Sequence, residues 1–285
     1  MPLSKTKDIL THATANKYGV LASVTFNFET VKWTIAAAER EQMPVIILFY
    51  PGFASHIPQH IMASMAVELA KKAAVPVAVH LDHATSFDIA INGIKDGFPS
   101  IMVDGSALPY QENVELTTAV IRTARVFGVD VEAELGRVGS GSKLEDMTNQ
   151  DLFTDPSKAR EFVEATGCDA LAIAIGNAHG MYVQEPNLDF NRIKAIRSAV
   201  DIPLVMHGSS GIPEEQIKEA VNQGLSKFNL GTEYFRAQYN ALKAGTESEA
   251  GNAFGLMKSL EEPMVDFLRS KIQLLNPNGR TICTT

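Results

Sequence analysis

Hydrophobic and polar positions follow a repeating two-beat pattern along the chain. Short apolar runs read as buried strands: GVLASVTF (19–26), PVIILFY (44–50), PVAVHLD (76–82), SIMVDGS (100–106), VDVEAELG (129–136), ALAIAIGN (170–177), PLVMHGS (203–209) and KFNLGT (227–232). Between them lie amphipathic stretches with helical spacing, such as ETVKWTIAAAER (29–40), ENVELTTAVIRTARVF (112–127) and PEEQIKEAVNQG (213–224). Four of the strands start at or just after a proline, and several helices close on glycine. Eight strand–helix beats predict an α/β (β/α)8 TIM barrel, one domain over residues 1–285, with an N-terminal helix ahead of it and a helical extension behind. A doubly wound open sheet is the rival arrangement, but no GxGxxG follows the first strand. Residues 138–157, VGSGSKLEDMTNQDLFTDPS, break the rhythm and predict a long polar loop, a lid or a disordered insert.

Polar residues gather where the strands end. His80, Asp82 and His83 fall within four positions at the end of the third strand, His179 lies just past the sixth, and His207 ends the seventh. In a barrel these ends share the C-terminal face, where active sites form. Three imidazoles with an open fourth position are the ligand set of a catalytic zinc. His83, His179 and His207 are therefore the expected ligands, with His80 behind them. For any one of these histidines alone, a hydrogen-bonded structural role is the simpler explanation. His12, His56 and His60 fall on helix or loop surface and are expected to be solvated. Glu132 and Glu134 alternate with apolar residues, so both project to one face of the fifth strand and need a metal, a His N–H or another partner if that face is interior. Asp104 ends the fourth strand and could join them. HGSSGIP (207–213) sets small residues before Pro213 at a helix start, and FNLGTE (228–233) repeats the theme with Asn229, Gly231 and Thr232. Exposed backbone N–H groups at a positive helix end suit an anion, and barrels often bind phosphate after strands seven and eight.

Composition narrows the partners. The 285 residues are 45% hydrophobic and 20% charged, as in an ordinary globular protein, and the net charge is -8. No Lys/Arg run is dense enough to follow a nucleic-acid backbone, so no nucleic-acid partner is expected. No run approaches membrane-spanning length, and MPLSKTKDIL is amphipathic rather than signal-like, so a cytoplasmic protein without membrane partners is expected. Cys168 and Cys283 have no metal-type spacing and fit a reducing compartment.

HLDHA (80–84), VEAELG (131–136), AIGNAHGMY (174–182), EPNLDF (185–190), PLVMHGSSG (203–211) and NLGTE (229–233) together resemble the zinc-dependent class II ketose-bisphosphate aldolases, near the tagatose- and fructose-bisphosphate branch. The resemblance runs in order from about residue 7 to about residue 235. It implies a barrel enzyme, a homodimer or homotetramer, acting on a small sugar phosphate. It implies zinc on His83, His179 and His207, with His80, Glu132, Glu134 and Asp104 supporting the metal, and Asp82 as the proton-transfer residue. Gly180, Gly208, Ser209, Ser210, Asn229, Gly231 and Thr232 would surround the phosphate of the dihydroxyacetone phosphate half, with a monovalent cation (Na+ or K+) near it and Asn27 on the substrate. Cleavage of a ketose between C3 and C4 leaves a carbanion on C3. A zinc ion at the neighbouring oxygens spreads that charge as an enediolate, while a carboxylate takes the C4 hydroxyl proton. The family returns a proton to C3 from an acidic residue after the fifth strand; here GSGSKLED makes Glu145 or Asp146 the candidate.

The chain also departs from the family. Tyr50 stands where relatives carry Ser or Thr, Val24 replaces an Asn and Ala107 a His. The tail GNAFGLMKSLEEP (251–263) lacks the Pro-Arg pair that binds the far phosphate in many relatives, leaving Arg137, Lys143 or Arg280 as substitutes. These departures leave two substrate readings, a fructose/tagatose 1,6-bisphosphate-like ketose or one with a non-phosphate far end (a ketose 1-phosphate, sugar acid or sulfo-sugar). A zinc hydrolase on the same barrel and a phosphate-binding regulatory barrel are the remaining readings. The first usually shows His-x-His on its first strand, which this chain lacks, and the second predicts a closed four-ligand metal site.

Overall fold

The computed structural model describes residues 2–248 and 252–280, so Cys283 lies outside the described residues. Eight strands form a closed barrel: β1 (Val20–Val24), β2 (Val45–Phe49), β3 (Val77–Ala84), β4 (Ser100–Val103), β5 (Asp130–Leu135), β6 (Ala170–Ile173), β7 (Leu204–Met206) and β8 (Leu225–Leu230). Every neighbouring pair is parallel, and β8 closes on β1. This is the (β/α)8 barrel. Its strands are covered on both sides, which is why they read as unbroken apolar runs rather than alternating ones. Six of them are shorter than their runs by two to four residues, because the polar residues after the last ladder bond turn into the rim loops; β3 instead runs on to Ala84, and β8 begins two residues early at Leu225.

One end of the barrel is closed. The helix Thr6–Asn16 buries Ile9, Leu10 and Ala13, and its Lys7 N–H donates to Asp130 at the start of β5 (3.1 Å). Val77 at the start of β3 donates to Pro2 O. The opposite, C-terminal end stays open. The helical extension Glu261–Leu274 buries Met264, Val265, Leu268 and Ile272 and packs along the helix Phe28–Glu41. Arg40–Glu262 and Arg269–Glu41 ion pairs lie along their contact.

The stretch 138–157 is not the structureless loop its polarity predicts. Gly139–Ser140 pairs with Ala178–His179 as a small parallel ribbon, and a helix (Leu144–Thr148) and a 3-10 turn (Gln150–Leu152) follow. Local side-chain bonds, such as Asp146 accepting from Ser140 N (2.9 Å), supply the order that an apolar pattern does not advertise.

Candidate functional site

The open end holds a cavity of about 560 Å³ lined by Asp82, His83, Asp104, Glu134, His179, Gly208, Ser210, Asn229 and Thr232 among others. A β-bulge builds its centre. Between Leu81 and Ala84 strand β3 advances three residues while β4 advances two, and His83 takes a left-handed backbone (φ 45). Strand alternation would send Asp82 and His83 to opposite faces. The extra residue lets both line the cavity.

The three histidines of the strand ends converge, each offering a ring nitrogen within 4.8 Å of the others. Two of the three are tied down on their outer side. His83 Nδ1 donates to Asp104 Oδ2 (2.8 Å), and His207 Nε2 donates to Glu132 Oε1 (3.0 Å). A carboxylate only accepts, so His207 Nδ1 carries the lone pair, and it faces His83 Nε2 at 3.0 Å. Burial alone would lower His83, but the Asp82, Asp104 and Glu134 carboxylates outweigh it and hold the imidazole up at about 9. Burial and the neighbouring His83 charge push His179 down to about 4 and His207 well below its ordinary value. Glu134 is raised to about 8 by burial and by Asp104, and its Oε2 is buried without a hydrogen-bond partner. Asp104 is buried too, yet its bond and charge contact with His83 keep it below the usual carboxylate range. Three convergent imidazoles, two of them anchored on carboxylates, and an orphaned carboxylate oxygen beside them are the donor set of a divalent metal. The residues fit one.

The carboxylate of Asp82 is buried and accepts from Asn229 Nδ2 (3.1 Å). The rim loops beside it are shaped by backbone geometry. Gly208 has φ +63, and a Cβ there would sit 2.1 Å from Ala178 O. Tyr182 accepts from Ala178 N and donates to Gly208 O (2.7 Å), bracing the same pair of loops. Gly231 and Thr232 line the cavity where the 17-residue helix Thr232–Ser248 begins, so a positive helix end lies at the cavity's edge, with the Glu233 N–H donating to Ser210 Oγ (3.1 Å).

Several expected residues lie elsewhere. Asn27 caps the helix Phe28–Glu41, its Oδ1 accepting from Thr30 N (3.0 Å), and it does not line the cavity. Ser209 turns its hydroxyl to Asn229 O (2.7 Å) and faces away. Glu145 stands exposed on the helix Leu144–Thr148, outside the lining, because that short helix packs through Met147 instead. His80 lies beneath the trio, bonded through Nδ1 to Ser100 Oγ (2.7 Å), and burial with the nearby Lys227 charge lowers it to about 3. Of the three substitute cations only Arg137 lines the cavity. The sequence reading passed over Lys227, fully buried on β8, whose ammonium lies 2.8 Å from Glu132 Oε2. The available signal was its spacing of two from Asn229, which puts both on one strand face. Glu132 and Glu134 both face inward, Glu132 on Lys227 and His207, Glu134 on Val138 N.

A family model described as Fructose-bisphosphate aldolase class-II matches residues 4–280. The chain is 39% identical over 268 residues to the protein YdjI of Escherichia coli (strain K12), covering 94% of this chain and 95% of that one. The X-ray structure of the YdjI aldolase from Escherichia coli K12 superposes with a TM-score of 0.88 at 36% identity, over 98% of this chain and 100% of that one. Fructose-bisphosphate aldolase (Fba) from Campylobacter jejuni superposes with a TM-score of 0.81 at 24% identity, over 96% and 95% of the two chains, a likeness of fold.

Proposed function

The chain belongs to the class II fructose-bisphosphate aldolase family, and from that premise we propose that it is a zinc-dependent aldolase cleaving a phosphorylated ketose reversibly to dihydroxyacetone phosphate and an aldehyde. The convergence of three imidazoles beside a buried carboxylate, Asp82, carries the reading. His83, His179 and His207 would hold the metal, and nitrogen donors of this kind favour zinc over magnesium or calcium. The chemistry zinc supplies there is Lewis-acid polarisation of the ketose carbonyl.

Asp82 takes the proton of the C4 hydroxyl as the C3–C4 bond breaks. Asn229, donating to Asp82, leaves the carboxylate as an acceptor in the cavity. Gly180, Gly208, Ser210, Gly231 and Thr232 receive the phosphate at the edge where the helix Thr232–Ser248 presents its positive end. A Na+ or K+ ion near that phosphate, a homodimer or homotetramer and a cytoplasmic location complete the proposal by family resemblance. No described helix is long and apolar enough to cross a membrane.

One observation favours a substrate without a second phosphate. Val24, Tyr50, Phe53, Ala107 and Phe235 give the cavity an apolar wall, and among the described residues Arg137 is its only Lys or Arg. Chelation of the purified protein should abolish dihydroxyacetone phosphate release in a coupled assay, and zinc should restore it. Full activity in excess chelator, or borohydride trapping of a lysine adduct, would overturn the class of chemistry. In the same assay, kcat/KM for a ketose 1,6-bisphosphate should exceed that for its 1-phosphate by less than about 10³-fold, the preference a well-made phosphate clamp would give. A larger ratio restores the bisphosphate substrate.

A further inference from the structure

Beneath the three histidines lies a buried charged group that the proton transfer does not use. Lys227 and Glu132 are both inside the barrel, and the lysine is fully enclosed. The ammonium is 2.8 Å from Glu132 Oε2 and 3.0 Å from Oε1. The same Oε1 accepts from His207 Nε2 at 3.0 Å. The described ion pairs give Lys227 no carboxylate other than Glu132. Such a pair is expensive to desolvate, and a barrel interior of this size is ordinarily filled with aliphatic side chains.

We propose that Lys227 is a positioning residue for the metal centre: it pins Glu132 so that Glu132 holds His207 with its proton on Nε2 and its Nδ1 free for the metal. The inference rests on the assignment of His207 as a ligand. Removing the ammonium would take from the Glu132 carboxylate, buried between His80 and His207, the contact that fixes its orientation, and it would turn. His207 would then lose the acceptor that fixes its tautomer. Carboxylate partners of ligand histidines are worth about 10–100-fold in metal affinity, and Lys227 acts one bond further out through such a partner.

The test uses the full chain stripped of metal, with zinc affinity read by competition against a chromophoric chelator. Lys227→Met should bind zinc at least about 10-fold more weakly than the unaltered protein, the lower end of the range for such partners. Glu132→Gln should also weaken binding, and adding Lys227→Met to it should cost less than about threefold more, because the lysine's hydrogen-bonded route to the metal is already cut. Losses that multiply in the double variant, or a Lys227→Met protein of unchanged affinity, overturn the proposal. Should Lys227→Met alone not fold, the neutral Glu132→Gln pair supplies the comparison. Imidazole ¹⁵N spectra of the metal-free unaltered protein supply an independent one. The resonance lost in His207→Gln should report the Nε2–H tautomer, and an Nδ1–H tautomer overturns the proposal. If the unaltered protein binds no zinc, it is the metal assignment that fails.

Discussion

Asp82 and His83 are adjacent in sequence, line one cavity and have different work. Asp82 accepts from an amide, Asn229, and its carboxylate lines the cavity, placed to take a proton. His83 is oriented by Asp104 and faces His207. Asp82→Ala should therefore keep one zinc per chain, measured by metal analysis, while kcat for C–C cleavage falls by about 10²–10⁴-fold, the scale of a positioned proton-transfer group. Loss of zinc from that variant would make Asp82 a ligand. The identity of these residues is visible in HLDHA; their shared face is not, since alternation alone separates them and only the bulge reunites them.

Elements, rather than residues, decide what Asn27 does. The family resemblance puts it on the substrate, but the helix Phe28–Glu41 opens with a capping box in which Asn27 accepts from Thr30 N and the Thr30 hydroxyl accepts from Asn27 N. Asn27→Ala should lower stability by about 1 kcal/mol in a denaturant titration, the usual cost of a lost cap, and leave kcat/KM within about twofold. A large kcat/KM loss with unchanged stability would return Asn27 to the substrate. The stretch after β5 makes the same point. Its polarity predicts a lid or a disordered insert, yet Ser140 lies in register with His179, and Gly141 N donates to His179 O (2.7 Å). It helps to hold a proposed ligand.

Over the whole molecule the buried ionisable groups respond to base. Burial pushes the Cys168 thiol up to about 12 and the Tyr182 hydroxyl up to about 12, from ordinary values of 9.0 and 10.0. Burial raises Tyr18 and Tyr234 as well. Between about pH 9 and 12 the unfolded chain releases these protons and the native state keeps them. Stability contributed by them is thus complete below about pH 9 and declines with rising pH, by up to about 1.4 kcal/mol per pH unit for each group. The thermal midpoint should fall more steeply from pH 9 to 11 than from pH 7 to 9, and in a Cys283→Ser background Cys168 should resist thiol reagents at pH 8 until the protein is unfolded. A midpoint flat to pH 11 would contradict the burial of these side chains. Sequence by itself determined the barrel, the three ligand histidines as candidates, Asp82, and the Gly-rich loops after β7 and β8. Strand burial and strand-end polarity are local signals, repeated eight times, and they survive in one dimension. Only the tertiary structure decided that Lys227 is the counter-charge of Glu132, that Asn27 is a cap, that Ser209 and Glu145 face away from the cavity, and that Arg137 alone of three cations reaches it. The reason is physical: a buried charge is matched, and a side chain is aimed, by partners far apart in the chain, 95 residues for Glu132 and Lys227 and 147 for Asp82 and Asn229, and no local pattern encodes such distances.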